Sequence, residues 1–122
     1  VTLSQLLERI KSSPDIHRAG MILVHNGIVR GLTRNGHQVE RIRVKVNWQR
    51  LSELLEEARQ RPGIVAVEAS LKEGEFWVGE DLMYLVVAGD FRQNVLACLS
   101  ELLEAIKAEV TEKEEIVIAG RG

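Results

Sequence analysis

The side chains of this sequence best suited to chemistry are its clustered cations. Between residues 30 and 50, Arg30, Arg34, Arg41, Arg43, Lys45 and Arg50 stand against Glu40 alone, whereas Glu101, Glu104, Glu109, Glu112, Glu114 and Glu115 outweigh Lys107 and Lys113 between 101 and 115. Arg41, Arg43 and Lys45 are spaced two apart. On a strand they would form a ladder at about 7 Å intervals, able to meet a phosphate or carboxylate, or to guard an exposed strand edge against unwanted pairing. No aromatic side chain lies within the Arg41–Lys45 ladder, so base stacking on nucleic acid is not expected.

The other reactive types offer less. His17, His25 and His37 lack the spacings of metal ligands, and no cysteine pair supports them. Gly27-Ile28-Val29-Arg30-Gly31 lacks both the lysine–hydroxyl pair of a Walker loop and the spacing of a dinucleotide fingerprint. Asp15 with His17, or Ser100 with any histidine, defines no nucleophilic arrangement. Cys98 is the single cysteine, which excludes an intrachain disulfide, and it lies in an apolar-periodic stretch where a small buried thiol is expected.

Hydrophobic periodicity predicts the elements that must place these groups. Leu3, Leu6, Leu7 and Ile10 predict a helix over 1–11, with Thr2 and Ser4 as cap candidates and Pro14 beyond its end. Gly20 to Val24 reads as a buried strand followed by a basic, glycine-rich loop. Val39 to Val46 alternates, with Ile42, Val44 and Val46 on one face and the cationic ladder on the other. Asn47 is placed to cap a helix over 48–60, stopped by Pro62-Gly63. Strands are predicted at 64–69, 75–77 and, as a central strand, 82–88; a long helix follows over 91–109. A short edge strand at 116–118 and a frayed tail from Ala119 complete the chain.

At 122 residues, 45% hydrophobic and 28% charged, the sequence predicts one domain over 1–122 with a core large enough to need neither crosslinks nor metal. A net charge of −2 argues against a surface built throughout for nucleic acid. No apolar run approaches the roughly 20 residues that span a bilayer and no leader pattern opens the chain, so a soluble protein of the cytoplasm is expected. Interleaved helices and strands predict an α+β domain with a mixed, mainly antiparallel sheet packed by helices. Composition and spacing lead as far as an anion-binding domain.

Two motifs carry the reading further. Ala19-Gly20 through Gly27-Ile28-Val29-Arg30 is a buried strand running into a glycine-x-valine-arginine loop. Gly74-Glu75-Phe76-Trp77-Val78-Gly79-Glu80-Asp81 precedes an apolar strand, Arg92, and a helix ending in Ile106-Lys107. In this order and spacing, over residues 17–116, the sequence resembles the large, catalytic subunit of molybdopterin synthase. That resemblance implies an α/β hammerhead-like fold and a role in molybdenum cofactor biosynthesis. It further implies a homodimer carrying at each end a ubiquitin-like small subunit, whose Gly-Gly tail brings sulfur as a thiocarboxylate to a cyclic pyranopterin monophosphate. No cofactor or metal is expected. Exposed edges such as that of Val39–Val46 are candidates for the dimer seam.

Residue by residue, the resemblance matches Lys107 to the helix-end lysine of catalysis, Arg30 to the loop arginine, and Arg92 to the arginine of a histidine–arginine pair; Arg30 and Arg92 are expected to share one anion site. The sequence departs from the family pattern at Phe91, which replaces the histidine, at Ile28, which replaces a basic residue, and at Asn47-Trp48, where a loop is shortened. Glu114 falls where a second lysine is expected and Lys113 lies one position earlier, a second substrate-binding candidate. These departures keep an alternative open, a catalytically altered relative serving as a dimeric binding or regulatory module.

Overall fold

The computed structural model describes residues 1–118, so the expected tail from Ala119 lies outside the described residues. Along the chain run α1 (Leu3–Lys11), a 3-10 turn (Ile16–Arg18), β1 (Met21–Ile28), β2 (Val39–Val46), α2 (Trp48–Arg59), β3 (Ile64–Leu71), β4 (Gly74–Trp77), β5 (Asp81–Gly89), α3 (Arg92–Glu109) and β6 (Thr111–Val117). The α+β architecture is the expected one. Its strands form two three-stranded sheets, ordered β1-β5-β3 and β4-β2-β6, and every named strand pair is antiparallel, with no parallel component among the described residues.

The first sheet is buried on both sides, which is why β5 reads as an unbroken apolar run. Leu85 and Val87 face the main core beneath α2 and α3, while Val86 and Ala88 face Leu6 and Ile10 of α1. All six are fully buried or nearly so. A leucine or isoleucine buried this completely contributes about 1.5–3 kcal/mol, so α1 is held by a small core of its own. Its start is fixed by a capping box: Thr2 Oγ1 accepts from the Gln5 amide at 3.1 Å and Gln5 Oε1 accepts from the Thr2 amide at 2.8 Å. The second helix is capped as its sequence predicts, Asn47 Oδ1 accepting from the Arg50 amide at 3.0 Å.

The third helix starts differently. Phe91 occupies its cap position with no side-chain hydrogen bond. Instead, Asp90 Oδ1 accepts from the Phe91 amide at 2.6 Å and from Asn94 Nδ2 at 2.8 Å. Those hydrogen bonds, Asn94's foremost, hold the Asp90 carboxyl below its ordinary range. Gly63 packs against the same cap with φ of +80°, and a Cβ there would collide with Asp90 and Asn94.

Two strand expectations are corrected. The chain pairs through Thr111–Val117 rather than 116–118 alone, so β6 begins directly after α3. And β2 is the central strand of its sheet, flanked by β4 and β6, so neither of its edges is free to form a dimer seam or needs guarding by basic side chains.

Candidate anion-binding site

In β2, Arg41, Arg43 and Lys45 point to the outer face of the second sheet while Ile42, Val44 and Val46 point inward, as their alternation requires. The neighbouring strands bring acids to the outer face: Arg43 lies opposite Glu75 on β4 and Glu114 on β6, and Lys45 opposite Glu112. Arg41 Nε donates to Glu75 Oε1 at 2.9 Å, and Arg43 reaches Glu75 and Glu114 at 3.2 Å each. Arg41 also pairs with Glu40 and lies 6.0 Å over the Trp77 ring. These contacts, first that from Arg41, draw the Glu75 carboxyl below its usual range, and Glu114 followed by Glu75 raises Arg43. On α2, Arg50 pairs with Glu53 at 3.0 Å and Glu109 at 3.3 Å. The basic stretch and the acidic stretch of the sequence therefore neutralise one another across the fold. The ladder of Arg41 and Arg43 is spent on cross-strand pairing and is not an anion site.

Turning inward, β6 presents Thr111, Lys113 and Glu115 alongside Val44 and Ile42. They line a cavity of about 550 Å³ between the two sheets, closed by the end of β1 and the loop after it, by Leu71-Lys72, by Leu82-Met83 and by Lys107. A register irregularity between Gly27 and Ile28 ends the regular pairing of β1 with β5. The loop is then tied down: the Val29 amide donates to Glu80 O at 3.0 Å, and the Gly79 amide donates to Val29 O at 2.9 Å. With Val29 buried, Arg30 is held at the cavity rim, its Nε donating to Leu32 O at 2.8 Å. Lys107 enters from the last turn of α3, where the helix dipole favours a cation.

The cavity thus collects Arg30, Arg34, Lys72, Lys107 and Lys113 against Glu115. None of these five cations joins an ion pair among the described residues. Unpaired positive charge converging on a recess is the electrostatic arrangement that concentrates anionic ligands. Glu114, the residue standing where a lysine was expected, turns away to Arg43, and Lys113 occupies the inward position.

Of the four sequence-derived site residues, Arg30, Lys107 and Lys113 meet at this cavity. Arg92 does not. It opens α3, fifteen residues before Lys107, about 22 Å along the helix axis at 1.5 Å per residue, so within one chain Arg30 and Arg92 do not share a site. Three basic lining residues were not among the predicted site residues: His25, Arg34, which was counted only in the basic stretch, and Lys72. The alternation of His25 with Gly27 on one face of β1 was the signal for the first, since the strand continues through what reads as a turn. Burial and, secondarily, the positive charge of Lys107 lower the His25 pKa below its ordinary value. Cys98 is buried, and burial raises its thiol pKa, consistent with the structural role expected of it. Among the described residues no group of His, Cys, Asp and Glu is placed to hold a metal, and no helix is long and apolar enough to cross a membrane.

Fold and cavity define an α+β domain of two antiparallel sheets with a cation-lined recess between them. The chain belongs to the MoaE protein family, whose model matches residues 2–109. A search of the curated proteins finds no match. Solved structures with the same fold include molybdopterin synthase from Staphylococcus aureus, at 20% identity and a TM-score of 0.79, covering 98% of this chain and 88% of that one. A complex of subunits 1 and 2 of molybdopterin-converting factor from Helicobacter pylori matches at 19% identity and a TM-score of 0.68, covering 100% and 87%. Molybdopterin cofactor biosynthesis protein E from Burkholderia multivorans matches at 16% identity and 0.74, covering 99% and 87%.

Proposed function

We propose that this chain is the catalytic, large subunit of a molybdopterin synthase. In this reading it receives sulfur from the thiocarboxylated Gly-Gly tail of a ubiquitin-like small subunit and delivers it to cyclic pyranopterin monophosphate, and two such transfers make the dithiolene. The observation carrying the reading is the convergence of Arg30, Lys107 and Lys113, with Arg34 and Lys72, on one recess large enough for a small ligand. A phosphorylated substrate and an anionic tail both need positive charge that is not already consumed by neighbouring acids. Arg30, its Nε anchored on Leu32 O, keeps its terminal guanidinium nitrogens to present to a phosphate. Lys113 adds charge from the opposite wall. Lys107 is the group placed to hold or deliver a proton as sulfur adds to the pterin. Arg92 is not needed for this arrangement within one chain.

Glu114 weighed toward the alternative of a non-catalytic module, because a carboxylate in the recess would repel the substrate. Its outward pairing with Arg43 removes that repulsion. Membership of the family and the structural likeness to a two-subunit complex support the small subunit as partner. The working assembly in this reading is a homodimer with one small subunit at each end, acting in the cytoplasm. Light scattering of the purified chain at micromolar concentration is expected to give twice the chain mass, and a monomer would remove the dimer from the account. The function itself is tested by mixing the chain with the thiocarboxylated small subunit and the pterin: molybdopterin should form, and absence of product with both partners intact would refute the assignment.

A further inference from the structure

His25 has no role in the reading above, yet it lines the same recess. Its ring lies along the cavity-facing side of β1, where the next residue on that face is Gly27; a methyl group at position 27 would stand 3.3 Å from His25 Nε2 and 3.7 Å from Met83. The glycine therefore leaves the space the imidazole occupies. In register across β5 is Leu85, fully buried and apolar. The charged groups sharing the cavity with the ring are Lys107 from α3, Arg30 and Arg34 from the loop, Lys72 after β3, and Lys113 and Glu115 from β6. No hydrogen bond contributes to its shifted titration, whose causes are burial and then Lys107. An imidazole set among cations, with no hydrogen bond to a carboxylate, resists protonation; an anion in the recess weakens that resistance.

We propose that His25 is a ligand of the bound anion and takes up a proton when that anion enters, adding one more positive charge to the recess. The proposal rests on the anion-site reading above and deepens it: the site is proton-linked, so it holds anions more tightly as pH falls through the His25 titration. Reciprocity requires that the anion raise the histidine's pKa by the same coupling that the proton adds to anion affinity. The anion has two sources under the proposed function, the phosphate of the pterin and the carboxylate end of the partner's tail. Sulfate, which does not titrate in this range, stands in for the first, and glycylglycine for the second.

The test is an NMR pH titration of the histidine ring signals of the full chain in chloride, in sulfate and in glycylglycine at matched ionic strength. His17 and His37 are exposed and serve as internal references, and His25→Gln assigns the remaining signal. In chloride His25 should titrate below the ordinary histidine value, and Lys107→Gln should bring it up toward that value. Sulfate is expected to raise it by about one unit, a tenfold coupling, with His17 and His37 unmoved. His25→Gln should then bind sulfate more weakly than wild type at about pH 6 and equally at about pH 8. A rise with sulfate names the phosphate as the ligand; a rise with glycylglycine alone names the tail. If either anion shifts the backbone signals of Arg30 and Lys113 while the His25 titration stays fixed, the proposal is overturned and the anion site stands. If neither anion perturbs any cavity residue, the anion site falls and this proposal with it.

Discussion

Toward solvent, β6 offers Glu112 and Glu114 to the cations of β2, whereas toward the interior it offers Lys113 to a recess that already holds Arg30, Arg34, Lys72 and Lys107. The two faces are built from the same strands, and their side chains differ by one position in register. On the outer face each arginine is matched, Arg41 by Glu40 and Glu75 and Arg43 by Glu75 and Glu114. In the recess like charges are gathered with a single acid, Glu115, among them. Matched charges in a sheet favour one register and one partner strand. Unmatched charges destabilise a fold mildly by repulsion, and a ligand of opposite charge relieves them. In the proposed reading, what separates a structural cation from a functional one in this sheet is the acid opposite it, not the residue type.

Removing Lys107 should have the largest effect. Lys107→Ala is expected to lower pterin conversion by about 10²–10⁴-fold, the range for loss of a proton-transfer group, with thermal unfolding nearly unchanged because the side chain is exposed. Retained turnover would return Lys107 to a helix-end cation whose role is only to complement the dipole. Next in size is Arg30→Ala, expected to weaken binding of the phosphorylated substrate by about 1.5–3 kcal/mol, the contribution of a hydrogen bond to a charged group. A binding titration that finds the affinity unchanged would take Arg30 out of the site.

The outer face should respond in stability and not in turnover. Arg43→Ala is expected to cost at most about 1 kcal/mol in denaturant unfolding, because the pairs it breaks are exposed, while conversion stays at the wild-type rate. A large loss of activity in a folded Arg43→Ala protein would erase the distinction between the faces. The smallest effect is a pH dependence. The Glu75 carboxyl is depressed by Arg41 and Arg43, so its contribution is present above the unfolded value of 4.5 and is lost as pH falls through its folded pKa. The melting temperature should therefore decline on acidification more steeply in wild type than in Glu75→Gln, and parallel curves would contradict the pairing.

Much of this was legible in the sequence where one element speaks for itself. The bounds of β2 follow from strict alternation, those of α2 from the Asn47 cap and the Pro62-Gly63 stop, and the burial of β5 from its unbroken apolar run. The start of β6 was not legible, because Thr111-Glu112-Lys113-Glu114-Glu115 has no apolar alternation. Its pairing is specified by basic residues about 70 positions earlier, and no local window contains both halves of that match. The same blindness made β2 look like an exposed edge and its arginines look available. Arg30, Lys107 and Lys113 were identified by resemblance, yet only the fold separates them from Arg92, since a helix carries its two ends apart regardless of what each end resembles. His25 was weighed only as a metal ligand or as the base of a nucleophile, and its place in the recess depends on β1 running on through Asn26 and Gly27 to pair with Tyr84 and Met83.

The claim that the face decides the role is tested most directly by exchanging the neighbours Lys113 and Glu114. In a Lys113→Glu/Glu114→Lys protein the composition and net charge are unchanged, but the recess gains a carboxylate and Arg43 faces a lysine. Pterin conversion measured with the thiocarboxylated small subunit, on protein verified as folded by its unfolding transition, should fall by at least tenfold, an effect of about 1.4 kcal/mol or more on the barrier. Turnover equal to wild type in the folded double variant would contradict the account.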